Sequence, residues 1–119
     1  MATFEKFLLS ASTNGRPIKV VATATPGTNI HVSSALANQI DEIWLTVTNT
    51  DSVSRSITIE WGGTTDPDDL VCKSFVMDAR SDPVQLIAGL PLAGGLIVKA
   101  FGSVASIFVI TGFVNRITQ

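Results

Sequence analysis

Residues 42–49 read Glu-Ile-Trp-Leu-Thr-Val-Thr-Asn, in which every second side chain is a branched aliphatic. Successive side chains of a β-strand point to opposite faces, so one face of this segment carries Ile43, Leu45 and Val47. The opposite face then carries Trp44 together with two threonines. This alternation predicts a half-buried strand of an antiparallel sheet.

Residues 55–61 repeat the pattern after a polar turn at 50–54. Three side chains share the face predicted to point inward: Ile57, Ile59 and Trp61. The face predicted to point outward carries Ser56, Thr58 and Glu60. Two alternating segments joined by a short polar turn are typical of a hairpin, so we expect 42–49 and 55–61 to pair with each other.

Further strand-like segments follow the same rule and are separated by turns rich in Gly, Pro, Asn and Asp. They are residues 4–10, 17–24, 30–32, 70–77, 84–88, 96–101 and 105–117. The sequence therefore predicts an all-β protein: an antiparallel β-sandwich of about nine strands, formed by one domain over residues 1–119. A short helical turn fits only residues 33–40, where Ser33 or Ser34 could cap it.

The chain carries few charges: 8 Lys and Arg against 10 Asp and Glu among 119 residues, or 15% charged, with 45% hydrophobic residues. Soluble domains average about 25% charged residues, so we expect much of the surface to face other protein. Abundant Ser and Thr are the alternative means of solvating such a surface. The net charge of −2 does not favour nucleic acid or an anionic membrane as a partner. No segment resembles a signal-peptide core or a membrane-spanning helix, so we expect neither.

No set of residues suited to catalysis is evident. His31 is the only histidine and Cys72 the only cysteine, and no Gly-x-Ser-x-Gly or phosphate-loop pattern occurs. We expect His31 in a loop or at a strand edge, and Cys72 as a small buried residue in a strand that turns Lys73 to the other face. The sequence thus predicts a protein that is not an enzyme and has no cofactor and no metal site.

An acidic loop follows Gly62 and Gly63. Residues 66–69 read Asp-Pro-Asp-Asp, and three carboxylates close together could hold a calcium ion. The spacing lacks the Asp-x-Asp-x-Asp-Gly pattern of a calcium loop, and a solvated turn of this composition is the alternative.

Three aromatic residues are candidates for contact with a partner. Phe4 and Phe7 flank Glu5 and Lys6 near the start of the chain, where residues 1–15 form either an extended contact arm or an ordinary first strand. Trp44 lies opposite the inward face of 42–49, so it belongs to the core of a second layer or serves as an exposed anchor for a protein or a sugar ring.

Three strings of the sequence resemble small virion proteins of tailed bacteriophages and prophages: residues 41–50, 57–70 and 98–117, within a likeness that covers about 16–117. The resemblance carries no individual functional residues. It implies a non-enzymatic structural protein of the virion, assembled in the host cytoplasm, with a β-sandwich or jelly-roll-like fold.

The role that the resemblance implies is that of a capsid decoration or cement protein, a homotrimer that binds the major capsid protein or another virion protein and stabilises the head. A tail, connector or fibre-associated protein is the first alternative. A sugar-binding module for host attachment is the second.

Overall fold

The computed structural model describes residues 2–119, which form nine β-strands and no helix. The strands are β1 (Thr3–Leu8), β2 (Ile18–Lys19), β3 (Thr28–Val32), β4 (Gln39–Asn49), β5 (Arg55–Trp61), β6 (Leu70–Met77), β7 (Val84–Leu92), β8 (Ile97–Gly102) and β9 (Phe108–Thr118). Both the all-β class and the number of strands predicted from alternation are confirmed. None of the described residues belongs to a helix that could cross a bilayer.

The strands form two antiparallel sheets that pack on each other. Sheet A has the order β1-β9-β4-β7, and β2 continues the edge formed by β1 by also pairing with β9. Sheet B has the order β3-β8-β5-β6. The pairing is nested along the chain: β1 and β2 with β9, β3 with β8, β4 with β7, and β5 with β6. A long hairpin folded over in this way is the jelly-roll form of the β-sandwich.

The hairpin predicted for 42–49 and 55–61 is wrong. Strand β4 pairs with β7 and β9 in sheet A, whereas β5 pairs with β6 and β8 in sheet B. The two strands face each other across the core because their aliphatic sides point inward from opposite sheets. Buried Asn49 fixes the corner between them, since its Nδ2 donates to the carbonyl oxygens of Val53, Met77 and Asp78.

The core lies between the two inner faces. The aliphatic side chains predicted to point inward are fully buried: Ile43, Leu45, Val47, Ile57 and Ile59. Strand β9 adds Phe108, Ile110 and Val114. Gly112 lies on the same face, and a Cβ at this position would stand 1.9 Å from the backbone oxygen of Trp44. Glycine is therefore required at this position of β9, beside the backbone of β4.

Two residues of β5 predicted to face solvent are buried. Glu60 is fully buried and accepts hydrogen bonds from the Thr25 hydroxyl and, at 2.7 Å, from the Gly27 backbone N–H. Thr58 accepts one from the Ser74 N–H. These positions are covered by the loop between β2 and β3 and by an irregular part of β6. Such cover comes from distant parts of the chain, so local alternation does not reveal it.

The helical turn predicted for 33–40 does not form: residues 33–38 form a non-helical connection, and residues 39 and 40 already belong to β4. Ser34 Oγ accepts a hydrogen bond from the Leu36 N–H and donates one to Gln39 Oε1. The serine therefore stabilises the turn that leads into β4 instead of capping a helix.

Candidate contact surface

The outer face of sheet A is its side turned away from sheet B. Odd-numbered residues of β4 from 41 to 49 are buried, so the even-numbered residues between 40 and 48 point outward. Trp44 lies on this face, as the alternation predicted. The register of β1, β9 and β4 arranges the outer side chains in rows that run across the three strands.

The aromatic row consists of Leu8, Phe113 and Trp44, which are register partners. The rings of Trp44 and Phe113 stack with centroids 4.9 Å apart and planes 8° from parallel. On the β7 side, a Cβ at Gly89 would come within 3.0 Å of Trp44 Cζ2. Trp44 is consequently half-buried between its neighbours, whereas Leu8 at the end of the row is 55% exposed.

The polar row is the next one along the strands and consists of Lys6, Asn115 and Glu42. Asn115 Nδ2 donates a hydrogen bond of 3.2 Å to Glu42 Oε1. Lys6 leans over the aromatic row, where its Nζ lies 4.4 Å from the centroid of the Phe113 ring. The row therefore has a positive charge at its β1 end and a negative charge at its β4 end.

The terminal row consists of Phe4, Ile117 and Ile40. Phe4 is 64% exposed and Ile40 38% exposed, and Ile117 between them is half-buried. The outer face of sheet A thus carries two apolar rows with one polar row between them.

Phe7 does not belong to this face. Phe4 and Phe7 are three residues apart in a strand, so they project to opposite sides of β1. The ring of Phe7 lies under the Arg116 guanidinium, with 4.5 Å between Cζ and the ring centroid. Residues 3–8 pair with β9 along their whole length as an edge strand of sheet A. Of the three aromatic candidates, the structure therefore brings Phe4 and Trp44 onto one surface.

A buried polar cluster joins the two sheets at one end of the sandwich. His31 is only 2% exposed; its Nδ1 accepts a hydrogen bond from the Ser10 N–H at 3.0 Å, and its Nε2 donates to Asp41 Oδ2 at 2.8 Å. Arg116 donates to both oxygens of Asp41. Burial would raise the pKa of the Asp41 carboxyl, but the hydrogen bonds from Arg116 and His31 outweigh it and hold the pKa below 3.8.

His31 lies in β3, the outer strand of sheet B, which agrees with the predicted position at an edge. The sequence analysis did not predict its place in the buried cluster. Asp41 could have indicated that cluster, because its side chain points inward with Ile43 and Leu45 and a buried carboxylate needs a partner. Both ring nitrogens of His31 and both carboxylate oxygens of Asp41 are hydrogen-bonded, so the arrangement fastens β3 to β4 and β9.

The acidic loop uses two of its carboxylates within the protein. Asp69 accepts a hydrogen bond from the Thr65 N–H, and Asp66 forms an ion pair of 3.0 Å with Lys73. Within residues 2–119, no group of three or more His, Cys, Asp and Glu is arranged to hold a metal ion. Cys72 is half-buried against the core, where burial raises the pKa of its thiol.

Apolar side chains are also exposed along one edge of sheet B, with Phe75 on the side of its register partner Ile57 and Val76 on the side of Ser56. Strand β6 is an outer strand of that sheet, and three of its apolar residues are 42–66% exposed: Val71, Phe75 and Val76. We call this surface the β6 edge. As an outer strand, β6 has one side with no strand partner, and such an edge is able to pair with a further strand.

Comparison of the chain with protein-family models, with curated proteins and with solved structures gave no match.

Proposed function

We propose that this chain is a non-enzymatic structural protein of a phage virion, a decoration or cement protein that binds the head lattice and associates with its own copies. The observation that carries the proposal is the pair of apolar surfaces on different sheets, the outer face of sheet A and the β6 edge. A protein that joins its own copies to a larger shell needs two separate contact surfaces.

The composition supports the proposal. Phe4 is 64% exposed and Val76 66% exposed in a chain of which only 15% is charged. Contiguous apolar surface rimmed by polar residues is typical of protein–protein contact sites. Removal of such apolar surface from water favours association.

We assign the shell contact to the β6 edge. An outer strand with free backbone groups accepts an extended segment of another protein by strand addition, and the exposed side chains of Phe75 and Val76 supply specificity. A protein that binds the assembled lattice and not the free subunits shifts the assembly equilibrium toward the shell by mass action. No covalent bond is made or broken.

The fold is compatible with this role but does not select it, because jelly rolls occur in viral capsid proteins and in lectins alike. The resemblance to small virion proteins favours the virion role. The stacking of Phe113 on Trp44 disfavours the sugar-binding alternative, since that face of the indole is already covered.

Co-sedimentation with purified empty heads and, in parallel, with purified tails tests the proposal. We expect saturable binding to heads and a higher melting temperature of the decorated heads. Val76→Asp should abolish that binding, whereas Val53→Asp, on the exposed turn between β4 and β5, should leave it unchanged. Binding to tails alone would assign the protein to the tail or connector, and retention on glycans without binding to either particle would favour the sugar-binding module.

A further inference from the structure

The polar row of the outer face of sheet A carries opposite charges on either side of β9. Lys6 lies on β1, Glu42 lies on β4, and Asn115 of β9 stands between them. The aromatic and terminal rows flank this row with exposed apolar side chains. Such a pattern can be complementary to itself.

We propose that the outer face of sheet A packs against the same face of a second copy, about a two-fold axis parallel to β9. The rotation places Lys6 of each copy opposite Glu42 of the other. It also places Leu8 opposite Trp44 of the second copy and Phe4 opposite Ile40 of the second copy. Both apolar rows are then covered, and each Lys6 is paired with a Glu42. Lys19 of β2 also projects to this face but lies beyond the three rows, opposite Thr48 of the second copy.

The charges select this axis over the other two-fold arrangement of two faces. An axis perpendicular to the strands and through Asn115 would place Lys6 opposite Lys6 and Glu42 opposite Glu42, and like charges facing each other are unfavourable. Both axes keep the strands of the two sheets aligned, so only the charges distinguish them. Alignment within about 30° is the common geometry of sheets packed face to face.

The size of the face indicates a reversible dimer. Three strands at about 4.8 Å, followed over the three rows at about 6.8 Å per row, span roughly 14 by 20 Å. This footprint is on the order of 300 Å² per copy, which is below the standard specific interface and typical of a weak contact. We therefore expect a dimer that dissociates on dilution through the micromolar range.

This inference rests on the self-association in the proposed function and not on binding to heads. It replaces the homotrimer implied by the resemblance with a dimer, because a two-fold contact between identical faces closes after two copies. The β6 edge lies on the other sheet and stays free for the shell.

Charge reversal tests the geometry by sedimentation velocity of the full chain. Lys6→Glu puts two glutamates opposite each other at both ends of the row, and Glu42→Lys does the same with lysines. Each variant should weaken the dimer on the order of tenfold. The double variant Lys6→Glu/Glu42→Lys should restore it, and an equimolar mixture of the two single variants should form the heterodimer.

Melting temperature at low protein concentration shows whether each variant folds, since Lys6 also contacts Phe113 and Glu42 also contacts Asn115 within one chain. Phe4→Ser should weaken the dimer, and Val76→Ser, at a comparable exposure of 66% on the β6 edge, should not. A trimer, a monomer at several hundred micromolar, or a double variant no better than the single ones would overturn the proposal. If the wild-type protein forms the dimer but does not bind heads, the result would count against the proposed function and not against the dimer.

Discussion

The Arg116 guanidinium donates two hydrogen bonds to the Asp41 carboxylate, from Nε to Oδ1 at 2.7 Å and from Nη2 to Oδ2 at 3.0 Å. The two residues are direct register partners in β9 and β4, and Asp41 is fully buried. His31 brings a third hydrogen bond from the opposite sheet. The carboxylate therefore holds both sheets together at this end of the sandwich.

Asp41→Asn should destabilise the protein by about 3 kcal/mol, because it leaves Arg116 without its buried counter-charge and removes an acceptor. Urea denaturation followed by tryptophan fluorescence measures the loss. Asp68→Asn, in the exposed acidic loop, is the matched control and should change the free energy of unfolding by less than about 0.5 kcal/mol. An equal effect of the two substitutions would show that the pair contributes no stability.

The lowered pKa of Asp41 predicts a dependence of stability on pH. Asp41 stays charged in the folded state at pH values where the unfolded chain, with a pKa near 3.8, already binds a proton. The contribution is thus complete above pH 3.8 and is lost as the pH falls through the folded pKa. Asp51 also has a lowered pKa, because Arg55 donates a hydrogen bond to it, so the wild type should be compared with Asp41→Asn at each pH. The difference between their free energies of unfolding should shrink below pH 3.8, and parallel curves would contradict this.

Ile59→Asp should abolish cooperative folding, since it buries an unpaired carboxylate at a position with no solvent exposure. Val76→Asp, 66% exposed on β6, introduces the same charge into sheet B and should melt close to the wild type. Thermal melting followed by circular dichroism compares them. If Ile59→Asp melts like the wild type, the assignment of the inward face of β5 is wrong.

Glu60→Ala should destabilise the protein by about 2 kcal/mol, because the Gly27 N–H and the Thr25 hydroxyl both lose their acceptor. Glu60→Gln keeps one side-chain oxygen as an acceptor and should lose about 1 kcal/mol. Faster proteolysis within residues 20–27 should accompany the alanine variant, since Glu60 anchors that loop. Equal stability of both variants and the wild type would show that the loop is held by other contacts.

Gly112→Ala should destabilise the protein by about 3 kcal/mol, because the new Cβ would stand 1.9 Å from the Trp44 backbone oxygen and the strands must separate. Gly94→Ala is the control for conformation alone. Its φ is +74° and no atom lies within 4 Å of an added Cβ, so only the cost of the left-handed backbone, about 1 kcal/mol, is expected. Denaturant unfolding measures both, and equal losses would mean that β9 adapts without strain.

Strand positions and faces could be predicted because alternation is local: Ile43, Leu45 and Val47 show their common face within five residues of sequence. The inward direction of the Asp41 side chain and the outward direction of Trp44 follow from the same alternation, along a strand of eleven residues. The all-β class and the number of strands could be predicted from the sequence, because each strand shows its own alternation and is bounded by its own turn residues.

Strand pairing was not available, because alternation is the same whether β4 and β5 lie side by side or face each other across the core. Glu60 accepts a hydrogen bond from Gly27, which is 33 residues away in the chain, and Trp44 stacks on Phe113 from a distant strand. The rows that make Lys6 and Glu42 the two ends of one surface exist only once β9 lies between β1 and β4. Residues far apart in the chain become neighbours through backbone hydrogen bonds between strands, and the register of those bonds is a property of the folded whole.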